Sequence, residues 1–172
     1  MIDVVLTGRQ VRLRPITPAD EASLTRIFND SEVARWWGEP ARSVRDAMNP
    51  EDSESGFVIE VGTEAVGFIQ CVEEDDPMYE HASIDIALHS DWQGKGLGPD
   101  AIRTLADHLV TARGHHRLTI DPAAHNLHAI KAYERVGFKP VGVMRKYERG
   151  LDGTWHDGIL MELLAEDLPS PS

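Results

Sequence analysis

The spacing of apolar residues changes along the chain, and each change predicts a different element. Residues 11–14 alternate apolar and charged side chains, as a half-buried strand does. Thr17 is suited to cap a helix whose first position is Pro18. A second helical stretch spans residues 32–48 and is interrupted around Gly38-Glu39-Pro40. One strand followed by helices is therefore predicted for the first part of the chain.

A hairpin is predicted next. Residues 57–61 and 65–72 are rich in β-branched and aromatic residues and flank the short turn Gly62-Thr63-Glu64, which is typical of two antiparallel strands. The acidic run at residues 73–77 is expected to end the second strand and to form a loop.

Residues 82–88 predict a further strand with two different faces. Ile84, Ile86 and Leu88 lie at alternate positions and share one face, so Asp85 points to the opposite face. A carboxylate in the middle of an otherwise apolar strand is a candidate for chemistry.

The second half of the chain predicts two helices and three more strands. The helices are residues 99–113 and 126–136, closed by Gly114 and Gly137, and the strands are residues 118–120, 141–147 and 158–164. Residues 168–172 are expected to be a frayed tail. The whole order predicts one α+β domain over residues 1–172, with a mixed, mostly antiparallel sheet flanked by helices.

Charge narrows the range of partners. The formal net charge of −12 opposes binding to nucleic acid or to an anionic membrane, which both require clustered Lys and Arg, and favours a cationic small molecule. No apolar run approaches the roughly 20 residues of a membrane helix, and the N-terminus lacks a signal-peptide pattern, so a cytoplasmic protein is expected. It is expected to be a monomer or a homodimer.

The cysteine and histidine content argues against a metal centre. Cys71 is the single cysteine and lies in an apolar run, so we expect a packed strand residue rather than a nucleophile. The histidines form no H-E-x-x-H pattern, and no metal site is predicted.

A glycine-rich run lies between the strand at residues 82–88 and the helix expected to begin at Pro99. Its residues are Gln93, Gly94, Lys95, Gly96, Leu97 and Gly98. Closely spaced glycines let backbone N–H groups converge, and a following helix N-terminus attracts an anion. The run does not match a P-loop, and its G-x-G-x-G spacing departs from the dinucleotide pattern G-x-G-x-x-G. On this run alone, a purely structural turn also remains possible.

The run fits a third pattern, Q/R-x-x-G-x-G/A, which resembles the pyrophosphate-binding motif of the GNAT superfamily of N-acetyltransferases. Residues 126–138 resemble a second signature of that family, N-x-x-A-x-x-x-Y-x-x-x-G-F. The resemblance implies that acetyl-CoA is the cofactor and that residues 93–98 hold its pyrophosphate. It also implies that Ile86, Leu88, Asn126 and Tyr133 contact the rest of the coenzyme, although Asn126 could equally be a helix cap.

Within that family the chain resembles the aminoglycoside 6′-N-acetyltransferases. The similarity rests on Trp36-Trp37-Gly38, the acidic run at residues 73–77, Ser83-Ile84-Asp85, residues 93–98 and residues 119–122. It implies that Asp85 handles the reacting amine and that Asp121 helps to hold the sugar. The chain departs from those enzymes at residues 146–156, where it predicts a longer hairpin.

The chemistry expected of Asp85 and Tyr133 follows from the charge of the acceptor. An alkylamine arrives at neutral pH as an ammonium and cannot attack a thioester until it loses a proton, which Asp85 could accept. Tyr133 could donate a proton to the departing thiolate. The structural alternatives are a solvent-facing strand residue for Asp85 and a core residue for Tyr133.

The acceptor is expected to bind among acidic and aromatic side chains. The carboxylates of Glu73, Asp75, Asp121 and Asp157, together with Asp85, are candidates to hold a polycation, or else form solvated loops. Trp36 and Trp37 either stack on a sugar ring or pack between helix and sheet.

The expected function is direct acetyl transfer from acetyl-CoA to a primary amine, with the 6′-amine of an aminoglycoside as the first candidate. Acetylation of a protein N-terminus, as in ribosomal-protein acetyltransferases, and acetylation of a small polyamine are the enzymatic alternatives. A non-catalytic acyl-CoA-binding module is the alternative from another class.

Overall fold

A computed structural model describes residues 1–170 and contains one eight-stranded sheet flanked by helices. The strands are β1 (Leu6–Thr7), β2 (Arg12–Pro15), β3 (Glu54–Val61), β4 (Glu64–Glu74), β5 (His81–Leu88), β6 (Arg117–Ile120), β7 (Lys139–Arg149) and β8 (Trp155–Leu164). The α-helices are α1 (Glu21–Phe28), α2 (Ser31–Trp37), α3 (Pro40–Met48), α4 (Leu97–Thr111) and α5 (Leu127–Val136). Short 3₁₀ helices lie at Pro18–Asp20, Ser90–Trp92 and Ala165–Asp167.

The strands follow the order β1-β2-β3-β4-β5-β6-β8-β7, and every neighbouring pair is antiparallel except β5 and β6. The mixed, mostly antiparallel sheet predicted from the sequence is therefore confirmed. The parallel pair is very short, because only Ala82 with Leu118 and Ser83 with Thr119 are in register. Since β5 continues to Leu88, a cleft opens between the two strands beyond Ser83.

Two apolar cores lie on the two faces of the sheet. Helices α4 and α5 cover one face, where residues such as Leu105 and Ile84 are fully buried. Helices α1 to α3 cover the other face around Phe28 and Phe68. Cys71 packs in the first core, as expected, and burial raises the pKa of its thiol to about 12, which disfavours the nucleophilic thiolate.

Caps explain where several helices begin. The side chain of Glu39 accepts hydrogen bonds from the backbone N–H groups of Ala41 and Arg42, so the predicted interruption separates α2 from α3. Asn126 caps α5 by accepting from the N–H of Ala129 at 3.2 Å. The helix expected after Thr17 begins as a 3₁₀ turn, in which Thr17 and Asp20 cap each other, before α1.

One carboxylate fixes the start of α4 to the first strands. Asp100 accepts hydrogen bonds from the backbone N–H groups of Arg9, Gln10 and Val11 at distances of 2.8 to 3.1 Å. A Cβ atom at Gly8 would lie 2.8 Å from the carboxylate, so the close approach requires glycine. The turn between β1 and β2 is thereby held against the helix that follows the glycine-rich run.

The structure corrects four expectations about element boundaries. Helix α4 begins at Leu97 rather than Pro99, so Gly98 lies in its first turn. β4 extends through Glu74, so the acidic run is only partly a loop, and the short strand β1 was not predicted. Leu168 packs on the core, and the carbonyl of Pro169 accepts a hydrogen bond from Arg103, which differs from the frayed tail expected there; residues 171 and 172 lie outside the described part of the chain.

Within residues 1–170, no helix has both the length and the hydropathy needed to cross a membrane.

Candidate active site

The glycine-rich run forms an open cradle in front of α4. Gly94 and Gly96 have φ angles of 75° and 80°, a conformation that L side chains rarely adopt. Cβ atoms added at Gly94 or Gly98 would meet nothing within 4 Å, so the backbone there faces free space. Exposed N–H groups and the N-terminus of α4 make this a suitable place for a phosphate anion.

The side chains of Gln93 and Lys95 contact residues that precede the glycine-rich run in the chain. Nε2 of Gln93 donates a hydrogen bond to the carbonyl oxygen of Leu88 at 2.8 Å, which ties the cradle to the end of β5. Nζ of Lys95 lies 5.0 Å from the ring centroid of Trp92, and Lys95 does not line the cavity described next.

A first cavity of about 720 Å³ leads from this cradle into the cleft between β5 and β6. It brings together most of the residues predicted for the coenzyme and the reaction: Asp85, Ile86, Leu88, Gln93, Gly94, Gly96, Leu97, Gly98, Asp121, Asn126 and Tyr133, with Trp36 and Trp37 at its wall. The sequence pattern therefore identified the residues of one continuous cavity, although they come from five separate segments.

Asp85 is partly buried at the inner end of this cavity. Burial and the negative charge of nearby Asp121 raise the pKa of its carboxyl to about 6. A hydrogen bond from Nε2 of Gln70 at 3.4 Å acts in the opposite direction. A carboxylate with this pKa is still ionised at neutral pH and is a better proton acceptor than an exposed aspartate.

Tyr133 projects from α5 into the same cavity. Burial, and then the charges of Asp85 and Asp121, raise the pKa of its phenol above the ordinary value. The side chain also packs against the first core, so the structural role considered from the sequence and a role in the cavity coexist. Its hydroxyl stays protonated at neutral pH and is available as a donor.

Two residues of β7, Tyr147 and Glu148, lie beside Asp85 and Asp121, and the sequence analysis did not single them out. The hydroxyl of Tyr147 donates to Oδ2 of Asp121 at 2.7 Å, and this bond raises the pKa of Tyr147 to about 12. Burial and Asp121 also raise the pKa of Glu148. The sequence could not predict which face of the sheet these two side chains leave, because the register of β7 is irregular between Met144 and Glu148 and simple alternation does not apply there.

A second cavity of about 1000 Å³ lies on the other side of these residues and shares Trp36, Trp37, Ala123, Tyr147 and Glu148 with the first. It opens between α2, α3 and the tip of the β7–β8 hairpin. Its acidic lining residues are Glu39, Asp46, Glu54, Glu148 and Asp152, and its basic ones are Arg35, Arg42 and Arg149. The carboxylate of Glu148 therefore lies where the two cavities meet.

The two tryptophans have different environments. Trp37 packs against Phe28 and Phe68, with ring centroids 5.3 and 5.6 Å away, and its Nε1 donates to the carbonyl of Ile86. Trp36 lies at the wall of both cavities, 4.9 Å from the ring of His125. Both tryptophans line the two cavities, but Trp37 is also held by packing, whereas Trp36 lies between His125 and the guanidinium of Arg35, which is 4.6 Å from its ring centroid.

Three carboxylates expected at the acceptor lie elsewhere. Glu73 is bound by Arg113 at 2.9 Å and by His115 at 2.8 Å. Asp75 is exposed in the loop after β4, and Asp157 accepts a hydrogen bond from the backbone N–H of Lys146. None of these three lines either cavity.

Among residues 1–170, no group of three or more His, Cys, Asp or Glu side chains is arranged to hold a metal ion.

Comparison with known proteins agrees with this geometry. The family model described as an acetyltransferase (GNAT) domain matches residues 10–139. Aminoglycoside N(6′)-acetyltransferase type 1 of Klebsiella pneumoniae is 31% identical over 162 residues, covering 82% of this chain and 80% of that protein. Spermidine N(1)-acetyltransferase of Escherichia coli K12 is 26% identical over 162 residues, covering 90% and 86%.

The fold also matches solved structures. That of spermidine N-acetyltransferase from Vibrio cholerae, in complex with CoA and spermine, superimposes with a TM-score of 0.78 at 22% identity and covers 92% of this chain and 97% of that one. With most of its length matched by the family model, and with this arrangement of cradle, cleft and cavity, the chain belongs to the GNAT family of acetyltransferases.

Proposed function

We propose that this acetyltransferase uses acetyl-CoA to acetylate a primary amine directly, with the 6′-amine of an aminoglycoside as the first candidate acceptor. The observation that carries the proposal is that Asp85 and Tyr133 line the same cavity as the glycine cradle. A candidate proton acceptor, a candidate proton donor and a candidate phosphate site thus line one continuous surface. The cytoplasmic location expected from the sequence remains a prediction.

The residues present fit acetyl-CoA. The open space in front of Gly94 and Gly98 leaves room for the pyrophosphate beside backbone N–H groups. Ile86 and Leu88 line the cleft, and because their carbonyls are bound by Trp37 and Gln93, it is their backbone N–H groups that can pair with the pantetheine arm. When bound, acetyl-CoA supplies a thioester that the amine attacks and from which a thiolate leaves.

Asp85 prepares the acceptor. Its carboxylate attracts the ammonium and takes one of its protons, so that the nitrogen lone pair becomes available. The raised pKa of Asp85, about 6, brings the carboxyl closer to the pKa of the amine and eases this transfer.

Tyr133 and the backbone of β5 assist the departure of the thiolate. The hydroxyl of Tyr133 donates a hydrogen bond and then its proton to the leaving sulfur, and the second proton that the acetylated nitrogen must lose restores the phenol. A backbone N–H in the segment from Ile86 to Leu88 stabilises the negative charge that develops on the thioester oxygen.

The second cavity supplies the route for the acceptor. It reaches Glu148 where it meets the coenzyme cavity. The charge of Asp121 raises the pKa of Glu148, and the charge of Glu148 raises the pKa of Asp85, so the three carboxylates lie close together. Three carboxylates around one point favour a cationic amine. Trp36 adds an apolar wall on which a sugar ring can stack.

One observation supports a second candidate acceptor. Arg35, Arg42 and Arg149 line the second cavity, and a purely cationic substrate gains nothing from them. A protein N-terminus followed by acidic residues would place its amine at Asp85 and its carboxylates near these arginines. A small polyamine fits the inner carboxylates equally well.

The raised pKa of Asp85 argues against a non-catalytic module, since an acyl-CoA-binding site alone needs no proton acceptor.

The proposal is tested by measuring thiol release from acetyl-CoA with aminoglycosides, spermidine and peptides bearing acidic or neutral residues after the N-terminus. We expect kcat/KM for an aminoglycoside to exceed that for the best peptide at least tenfold, a difference of about 1.4 kcal/mol. Preference for the acidic peptide would favour the second candidate instead. Coenzyme binding without turnover of any amine would refute the enzymatic proposal.

Asp85→Asn should lower kcat/KM for the amine by about 10²- to 10⁴-fold near pH 7, because a positioned base is lost. The wild-type rate should fall as pH drops through about 6, where Asp85 becomes protonated. The variant should lack this acid limb near pH 6 and should instead lose rate steadily below about pH 10, because only the unprotonated amine can react, so the gap should narrow near pH 10. The exposed Asp91→Asn serves as control. Parallel pH profiles for wild type and Asp85→Asn would contradict the role.

Tyr133→Phe should lower kcat by about 10²-fold while leaving the KM for acetyl-CoA nearly unchanged, since only the donor of the leaving sulfur is removed. Steady-state kinetics with both substrates varied provides the measurement. Tyr79→Phe, at a residue that is 71% exposed, is the matched control. An unchanged kcat would show that Tyr133 is only a packing residue.

Gly98→Val should raise the KM for acetyl-CoA by tenfold or more, about 1.4 kcal/mol, because the new side chain enters the space reserved for the pyrophosphate. Gly98 lies in α4, where its backbone needs no positive φ, so the fold should persist. Gly142→Val is the matched control, since Gly142 also faces open space but lines neither cavity. Equal coenzyme affinity of the two variants in calorimetry would contradict the placement.

A further inference from the structure

Gln70 lies beside the proposed base on the neighbouring strand. Gln70 of β4 and Asp85 of β5 are directly opposite each other in the antiparallel register, so both side chains leave the same face of the sheet. Nε2 of Gln70 donates to Oδ2 of Asp85 at 3.4 Å, a long hydrogen bond that a bound acceptor could tighten. The position follows from the register and not from a flexible loop.

Donor and acceptor chemistry fixes the orientation of the Gln70 amide. An ionised carboxylate only accepts hydrogen bonds, so the NH₂ end of the amide faces Asp85. The carbonyl oxygen Oε1 then points away from that bond. Within residues 1–170, no donor makes a hydrogen bond to this Oε1.

Gln70 lines the second cavity, whereas Asp85 lines the first. Their hydrogen bond therefore joins the wall of the acceptor route to the wall of the coenzyme cavity. An ammonium that reaches Asp85 from the acceptor side passes the free Oε1 of Gln70. It carries several N–H donors and can bond to both oxygens at once.

We propose that Gln70 is a positioning and specificity-determining residue, which orients the Asp85 carboxylate through its amide N–H and accepts a second hydrogen bond from the incoming amine through Oε1. This inference rests on the proposed role of Asp85 as base. One proton of the ammonium passes to Asp85, and a remaining N–H of the neutral amine stays bound to Gln70. The amine is thereby prevented from turning its lone pair back toward the carboxylate.

Charged groups from several strands act on Asp85, and Gln70 opposes them. Asp121 at the end of β6, Glu148 of β7 and Glu54 of β3 all raise the pKa of Asp85, whereas the hydrogen bond from Gln70 lowers it. Tyr133 of α5 also lies within electrostatic reach of Asp85. Removing the Gln70 amide should therefore shift the titration of Asp85 to higher pH.

The test uses Gln70→Leu and Gln70→Glu, with Ser83→Ala as control on the same face of β5 but outside both cavities. Carboxyl-carbon NMR of the full chain without substrate, with the Asp85 signal identified from Asp85→Asn, gives its titration directly. We expect an upward shift of about 0.5 to 1 pH unit for Gln70→Leu and a larger one for Gln70→Glu, which adds a like charge. Ser83→Ala should titrate like the wild type.

Kinetics supply the second readout. The KM for the amine should rise by about tenfold in Gln70→Leu, while the KM for acetyl-CoA should change less than about twofold. The acid limb of kcat/KM should move to higher pH with the NMR titration. A residue with only a structural role would lower thermal stability without moving either the titration or the amine KM.

The failure of this inference differs from that of the proposed function. If the wild type acetylates amines and Asp85→Asn removes the acid limb, an unchanged titration and amine KM in Gln70→Leu would overturn the role of Gln70 alone. If no amine is acetylated, the proposed function fails, and the NMR titration still decides whether Gln70 holds Asp85. If Gln70→Leu does not fold, Gln70→Met, which keeps the length of the side chain without its amide or a new charge, decides the question by the same shift.

Discussion

The site depends on the point where β5 and β6 stop pairing. Two residue pairs join these parallel strands, and β5 then continues alone to Leu88. Backbone groups left without a strand neighbour need other partners. Trp37 binds the carbonyl of Ile86 and Gln93 binds that of Leu88, so α2 and the glycine cradle are both attached to the free part of β5. The cleft, the cradle and the aromatic wall are thus consequences of one interrupted sheet ladder.

The cleft also sets the electrostatics of the reaction. Asp85 of β5, Glu148 of β7 and Asp121, which follows β6, meet where water is partly excluded, and Asp121 opposes the ionisation of the other two. The raised pKa values of Asp85 and Glu148 reflect the repulsion between these carboxylates in the unbound protein. A cationic acceptor would relieve it, and the same charges that disfavour one another would then favour binding. The Gln70 amide limits how far the pKa of Asp85 rises.

The overall acidity of the chain did not indicate which carboxylates gather at the acceptor. Glu73 and Asp75 lie in the most acidic stretch of the sequence, yet Glu73 is bound by Arg113 and His115, and Asp75 faces solvent. Glu148 stands between basic residues on β7 and gave no signal. The face of the sheet that Glu148 occupies depends on the irregular register between β7 and β8. Packing of the hairpin sets this register, and alternation within β7 does not.

The sequence by itself predicted the order of elements apart from β1, and it singled out the glycine-rich run, Asp85 and Tyr133 as candidates, because periodicity, capping and short family motifs are local features. Tertiary structure alone decided the junction of the two cavities, the distinct environments of Trp36 and Trp37, and the pairing of Gln70 with Asp85. Those features depend on strand register and on contacts between residues far apart in the chain. Local patterns carry no record of such contacts, since the same strand can be paired in more than one register until the sheet assembles.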